Sequence, residues 1–114
     1  MSTAPNVHML DIAAIAELAG FLNRHNGREV GEMSMQMLKL AEEYGEAVSA
    51  WIGYTGQNPR KGVTHSLDDV LDELADVAIA AMVGIQRLGA DPATVIGAKI
   101  AQMQGRYDRV EATR

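Results

Sequence analysis

The stretch "DVAIAAMVGI", residues 76–85, sets one aspartate ahead of nine residues that are all apolar or glycine. Strict alternation is absent, and the flanking residues carry an apolar pattern of period about 3.6 from Leu67 to Leu88, so the run reads as the body of a helix. On a helical wheel, Leu67, Leu74, Ala78, Ala81 and Ile85 share one stripe, while Ile79, Ala80 and Val83 share a second that Asp76 heads. A helix apolar on nearly every side must be covered on every side, by a neighbouring helix over a cleft or by a second chain. An ionised carboxylate in that setting must be paired or must coordinate a metal.

Working outward, Ser66 followed by Asp69 is a Ser-x-x-acid helix start, and Gly89 ends the pattern. Asp91-Pro92 then supplies the cap and first turn of a fourth helix reaching about Tyr107. Upstream, "GYTGQNPRKGVTHS", residues 53–66, holds three glycines and a proline without periodicity and reads as a loop. Before it, Met33, Met37, Leu40, Tyr44, Ala47, Val48 and Trp51 fall on one stripe and predict a helix over about 32–53. Leu10, Ala14, Leu18, Phe21 and Leu22 predict another over 7–26, ended by the glycines of "HNGREVGE". Gly45 and Gly84 lie inside predicted helices, where glycine is unfavourable, so something is expected to approach the backbone closely at each. No β pattern or repeat interrupts this series. The expected fold is all-α, an antiparallel four-helix bundle in a single domain over 1–114, assembled as a dimer.

Composition narrows the function. Apolar residues make up 47% of 114, and the longest apolar or glycine run, Val77 to Ile85, cannot span a bilayer. No basic segment precedes an apolar one at the N-terminus and cysteine is absent, so neither a secretory signal nor a disulfide or thiolate metal site is expected, and the cytoplasm is the expected compartment. A net charge of -5 argues against binding nucleic acid. Eight of the fifteen acids lie between Glu42 and Asp76, a concentration that calls for a cation.

Those acids are also spaced for joint use. Glu43-x-x-Glu46 and Glu73-x-x-Asp76 each place two carboxylates about one turn apart on a helical face. Glu43 lies about 80° from the centre of its helix's apolar stripe and Glu46 about 140°. If two antiparallel helices bring the pairs together, up to four carboxylates share one volume, and their repulsion is relieved by proton uptake or by a hard divalent cation. All-oxygen ligation favours Mg²⁺ or Mn²⁺ over zinc. A di-iron bundle would use Glu-x-x-His pairs, and none of His8, His25 or His65 has a glutamate three residues before it.

The two acid pairs at this spacing, with the wider strings "KLAEEYGEAV", "DELADVAIAAM" and "RLGADP", resemble the all-α nucleoside triphosphate pyrophosphohydrolases, and MazG-like proteins in particular, over about residues 33–107. The resemblance implies hydrolysis of a nucleoside triphosphate to its monophosphate and pyrophosphate, with Mg²⁺ held by Glu43, Glu46, Glu73 and Asp76. It departs from the family at Met103, where the pattern after Lys99 has asparagine. Attack of water on an α-phosphorus builds negative charge, so cations and an oriented nucleophile are needed. Glu42 is the expected residue to orient or deprotonate the water, and Lys39 stands one turn before Glu43. Lys99, Arg106, Arg60 and Lys61 are the expected phosphate partners, the last two in a glycine-rich loop suited to cradling phosphate. Trp51 could stack on a base, although its place on the apolar stripe favours core packing. Two alternatives stay open: a phosphoribosyl-ATP pyrophosphatase with the same metal site, and a non-catalytic helical dimer whose acids meet a basic partner.

Overall fold

The computed structural model describes residues 10–113, over which the chain forms four helices and no strand: α1 (Ile12–Asn26), α2 (Val30–Thr55), α3 (Leu67–Arg87) and α4 (Pro92–Ala112). The start signals act as their chemistry requires. Asp69 N–H donates to Ser66 Oγ at 3.2 Å and Ser66 N–H donates to Asp69 Oδ2 at 2.8 Å, a reciprocal capping box at the head of α3. Those bonds to Ser66, backbone first, hold the Asp69 carboxyl below its ordinary pKa. Asp91 accepts from Thr94 N–H and Oγ–H ahead of Pro92, and Asp11 accepts from Ala14 N–H at 3.0 Å. α1 therefore begins at Ile12, not at 7, and residues 7–9 lie outside the described part. α4 runs past the expected Tyr107 to Ala112, because nothing between Gly105 and Glu111 breaks a helix.

α2 and α3 are antiparallel and make the main contact of the fold, while α1 packs against α3. The register follows from named pairs: Gln36 Nε2 donates to Ala80 O at 3.2 Å, and beyond the turn Thr64 N–H donates to Gly53 O at 2.9 Å. Gly53 has to be glycine, since a Cβ there would strike His65 Nδ1 and Thr64 Oγ1. The close approach expected at the two helical glycines singled out from the sequence is absent: a Cβ on Gly84 would make only an ordinary 3.7 Å contact with Gln36 Cγ, and Gly45 faces open space.

The core is assembled from small side chains. Ala19, Ala47, Ala50 and Ala80 are buried with Ile15, Val70, Met82 and Val83, which lets helix axes approach closely but hides little apolar area per residue. The second half of α3 is enclosed as its all-round apolar sequence requires, Ala80, Met82, Val83 and Gly84 being buried under α1 and α2. Its first half leaves Leu67, Leu71 and Leu74 exposed. α2 differs from expectation in its rotation. Its inward face is Gln36, Glu43, Ala47 and Ala50, so of the expected stripe Ala47 is buried while Met37, Tyr44, Val48 and Trp51 stand exposed. α4 touches α3 only lightly and buries Pro92 alone. The radius of gyration is 18.0 Å, against about 13 Å for a compact chain of this length.

Candidate metal centre and adjoining cleft

The rotation of α2 is what builds the site. It turns Glu43 toward α3, and the antiparallel register sets it opposite Glu73 and Asp76, so that one carboxylate oxygen from each of the three lies within 4.8 Å of the others. Glu73 is partly buried, and its Oε2 is shut off from water without a hydrogen-bond partner, alone in that respect among the buried side-chain polar atoms of the described residues. Burial, followed by the charges of Glu46 and Asp76, raises the Glu73 pKa above the ordinary carboxyl value. Glu46 is thus close enough to press on Glu73 without belonging to the tight group of three. Such an orphaned acceptor beside two like charges is unfavourable as it stands and fits a cation. Three hard oxygen donors suit a hard divalent cation.

Lys39 partly answers the charge. Its ammonium lies 3.1 Å from Glu43 Oε1 and 3.4 Å from Glu42 Oε1, and these hydrogen bonds, Glu43's first, raise its own pKa. It does not reach the buried Glu73 oxygen.

A cleft leads away from the acids. One cavity of about 230 Å³ is bounded by Glu43 and Asp76, by Leu18 and Leu22 of α1, and by Ile79 and Val83 of α3. A second, of about 360 Å³, shares Leu22, Gln36 and Lys39 with it and continues to Asn26, Met35 and Arg87. Arg87 closes the far end. Its side chain is 1% exposed; Nε donates to Asn23 Oδ1 at 3.0 Å, Nη1 to Gln36 Oε1 at 2.8 Å, and Nη2 to Gly27 O and Glu32 Oε1, both at 3.1 Å. This one side chain ties α1, α2 and α3 together, and its charge is committed to the scaffold rather than to a ligand.

The remaining predicted residues fall in three places. Glu42 borders the second cavity, exposed and paired to Lys39. Trp51 is half exposed, tilted against Tyr54 with ring centroids 5.6 Å apart, and lines a separate apolar groove rather than the core or the cleft. Arg60 and Lys61 lie in the connection after α2, shaped by Asn58, whose side chain accepts from Arg60 N–H at 3.0 Å and whose carbonyl accepts from Lys61 N–H at 3.2 Å and Gly62 N–H at 2.9 Å; Lys61 lines a small cavity with His65 and Ser49. Lys99 and Arg106 are exposed on α4, Lys99 donating to Gln102. Neither lines the cleft. Gln36, Arg87 and the α1 leucines are the cleft residues that sequence reading passed over. The only signal for Arg87 was a single arginine ending an otherwise apolar run.

No protein-family model, curated protein or solved structure matches this chain. Among the described residues no helix is long and apolar enough to cross a membrane.

Proposed function

We propose that this chain is a Mg²⁺-dependent pyrophosphohydrolase that converts a nucleoside triphosphate to its monophosphate and pyrophosphate, acting in the cytoplasm as a homo-oligomer, a dimer or tetramer. The observation that carries the reading is the close group of Glu43, Glu73 and Asp76 with the unpartnered buried oxygen of Glu73, opening onto a cleft with apolar walls and an amide and an ammonium along it. A divalent cation held by Glu43, Glu73 and Asp76 would supply positive charge to the phosphoryl oxygens and acidify the attacking water. The protein's own parts divide as follows. Glu43, Glu73 and Asp76 hold the cation, and Glu46 adds negative charge beside Glu73. Lys39, between the acids and the second cavity, meets phosphate oxygens. Glu42, paired to Lys39 at the edge of the second cavity, orients the water. The apolar walls from Leu18 and Leu22 leave room for a nucleoside.

The test is a screen of nucleoside triphosphates, with phosphoribosyl-ATP included, for Mg²⁺-dependent release of pyrophosphate. Glu43→Gln and Asp76→Asn should abolish release from whichever substrate is cleaved while leaving helical content intact. Absence of release from every substrate sinks the reading. A non-catalytic interaction module is the second reading, favoured by the apolar faces that α2, α3 and α4 leave exposed. Calorimetry with Mg²⁺ separates the two, because a mere interaction surface shows no site-like metal binding and no thermal stabilisation by metal with nucleotide.

A further inference from the structure

Gln36 is 5% exposed, and both ends of its amide are engaged. Oε1 accepts from Arg87 Nη1 at 2.8 Å, and Nε2 donates to Ala80 O at 3.2 Å. Among the described residues it is the one α2 side chain that hydrogen-bonds the backbone of α3. It also lines both the cavity beside the acids and the one that continues to Arg87. Elsewhere the two helices bury small apolar side chains against each other, Ala47 and Ala50 from α2, Val70 and Ala80 from α3. Apolar burial has no direction, so it holds α2 near α3 without fixing its height or roll. A single buried polar group is what fixes register between helices in such a case.

The place of Gln36 ties it to the acids. Glu43 lies seven residues after it on α2, and Glu73 lies seven residues before Ala80 on α3. Seven residues make two turns less about 20°, so Gln36 and Glu43 share one face of α2, as Ala80 and Glu73 share one face of α3. Because the helices are antiparallel, the two pairs stand level, about 10.5 Å apart along the axis. Asp76 is one turn before Ala80. On the other side of the acids, Thr64 N–H donates to Gly53 O at 2.9 Å, ten residues beyond Glu43 at the connection. Glu43 is therefore carried between two ties, one at the connection and one at Gln36. Arg87 also reaches Gln36 from α3, but through a long side chain that can follow a shift of α2, whereas the Ala80 carbonyl is fixed in its helix.

We infer that Gln36 is a positioning residue for the metal centre: its bond to the Ala80 carbonyl sets the height and roll at which Glu43 meets Glu73 and Asp76. The inference rests on the reading of those three acids as a cation site. Small hard cations tolerate little error in ligand placement, Mg²⁺ asking for near-octahedral geometry at about 2.0–2.1 Å. Groups that only orient the ligands typically contribute about 10–100-fold in affinity.

Mn²⁺ serves as the probe, its free ion counted by electron paramagnetic resonance, with urea unfolding of the metal-free chain measured alongside. Gln36→Glu keeps an acceptor for Arg87 Nη1 and removes the donor to Ala80 O, and it should weaken Mn²⁺ binding at least about tenfold. Gln36→Met, uncharged and of similar volume, removes both bonds and should weaken binding as much; it carries the test if the buried carboxylate prevents folding. Arg87→Met leaves Nε2 on Ala80 O, so it should lose stability and keep the wild-type Mn²⁺ affinity. A merely structural Gln36 gives the opposite result, a lower urea midpoint with affinity unchanged, and wild-type affinity in a folded Gln36 variant overturns the inference. So does an equal loss of affinity in Arg87→Met, because affinity would then follow stability alone. A wild-type chain that binds no Mn²⁺ overturns the cation reading and this inference with it, an outcome the wild-type titration tells apart from the other two.

Discussion

The α2–α3 pair carries two polar clusters that differ in one respect, whether their groups are matched. At the end near Arg87, one buried cation meets Glu32, Gln36, Asn23 and the Gly27 carbonyl, with all its contacts between 2.8 and 3.1 Å. At the middle, Glu43, Glu73 and Asp76 converge with only Lys39 in reach of one of them, and the Glu73 Oε2 has no partner. Buried polar groups are nearly always satisfied, so the matched cluster is explained by the scaffold it ties together, while the mismatched one is left to be satisfied by a proton or by the proposed cation. The first should therefore respond to mutation in stability and the second in activity and metal binding.

The largest effect is expected at the mismatched cluster. Glu73→Gln removes a ligand and a negative charge together; loss of the several kcal/mol that a bound metal contributes should lower pyrophosphate release by at least about 100-fold. In the metal-free protein the same change relieves repulsion from Glu46 and Asp76, so urea midpoints should rise or hold. A fall in stability would mean that Glu73 belongs to the scaffold after all, and the contrast would be lost. Arg87→Met should act the other way. Removing one partner of a buried pair typically costs about 3–5 kcal/mol, and Glu32, with a side chain 21% exposed, can turn to water, which places the cost near the lower figure. Denaturant unfolding at pH 7 measures it, and no fold-independent change in the Mg²⁺ dissociation constant should accompany it.

The two clusters were unequally legible in the sequence, for a physical reason. Signals that act within one turn were read correctly: Ser66 with Asp69, and Asp91 with Pro92; of the two acid pairs, Glu43, Glu73 and Asp76 converge while Glu46 stands outside the group. What depends on which of two apolar stripes a helix turns inward was not. α2 carries the large Tyr44, Val48 and Trp51 beside the small Ala47 and Ala50; the helix is rotated toward the alanines, which let α2 and α3 close, and that rotation sends Glu43 inward. Arg87 was invisible because its partners come from positions 23, 27, 32 and 36, which no local pattern connects. The outward stance of α4 was hidden as well, since an apolar stripe looks the same whether its own chain or another covers it.

A smaller effect, in pH, sharpens the comparison. The folded pKa of Glu73 is raised by burial and by Glu46 and Asp76, so between its unfolded and folded values the native state binds the extra proton. Stability contributed by that proton is present at low pH and fades as pH rises through the folded value. Mg²⁺ competes for the same oxygens. Its stabilising shift in melting temperature should therefore be small at pH 5 and larger at pH 8, and Glu73→Gln should flatten the difference. The Asp69 cap has the opposite sign: its lowered pKa means a contribution present above the unfolded value and lost as pH falls through the folded one. Ser66→Ala, removing about 1 kcal/mol of capping, should weaken that acid-side loss without touching the Mg²⁺ response.

Lys39 gives the smallest and most discriminating effect, because it borders both cavities and pairs with Glu43 while leaving Glu73 unmet. Its pairs are solvent-accessible on the lysine side, so Lys39→Gln should change stability by less than about 1 kcal/mol. The consequences for ligands diverge. Without the ammonium, Glu43 is free to bind a cation, and the Mg²⁺ dissociation constant measured without nucleotide should fall. A triphosphate loses a positive partner, so KM should rise. If Lys39 were merely a surface charge both constants would stay put, and if it were part of the Arg87 scaffold stability would move instead; metal and nucleotide shifting in opposite directions is the pattern only a group poised between acids and phosphate can produce.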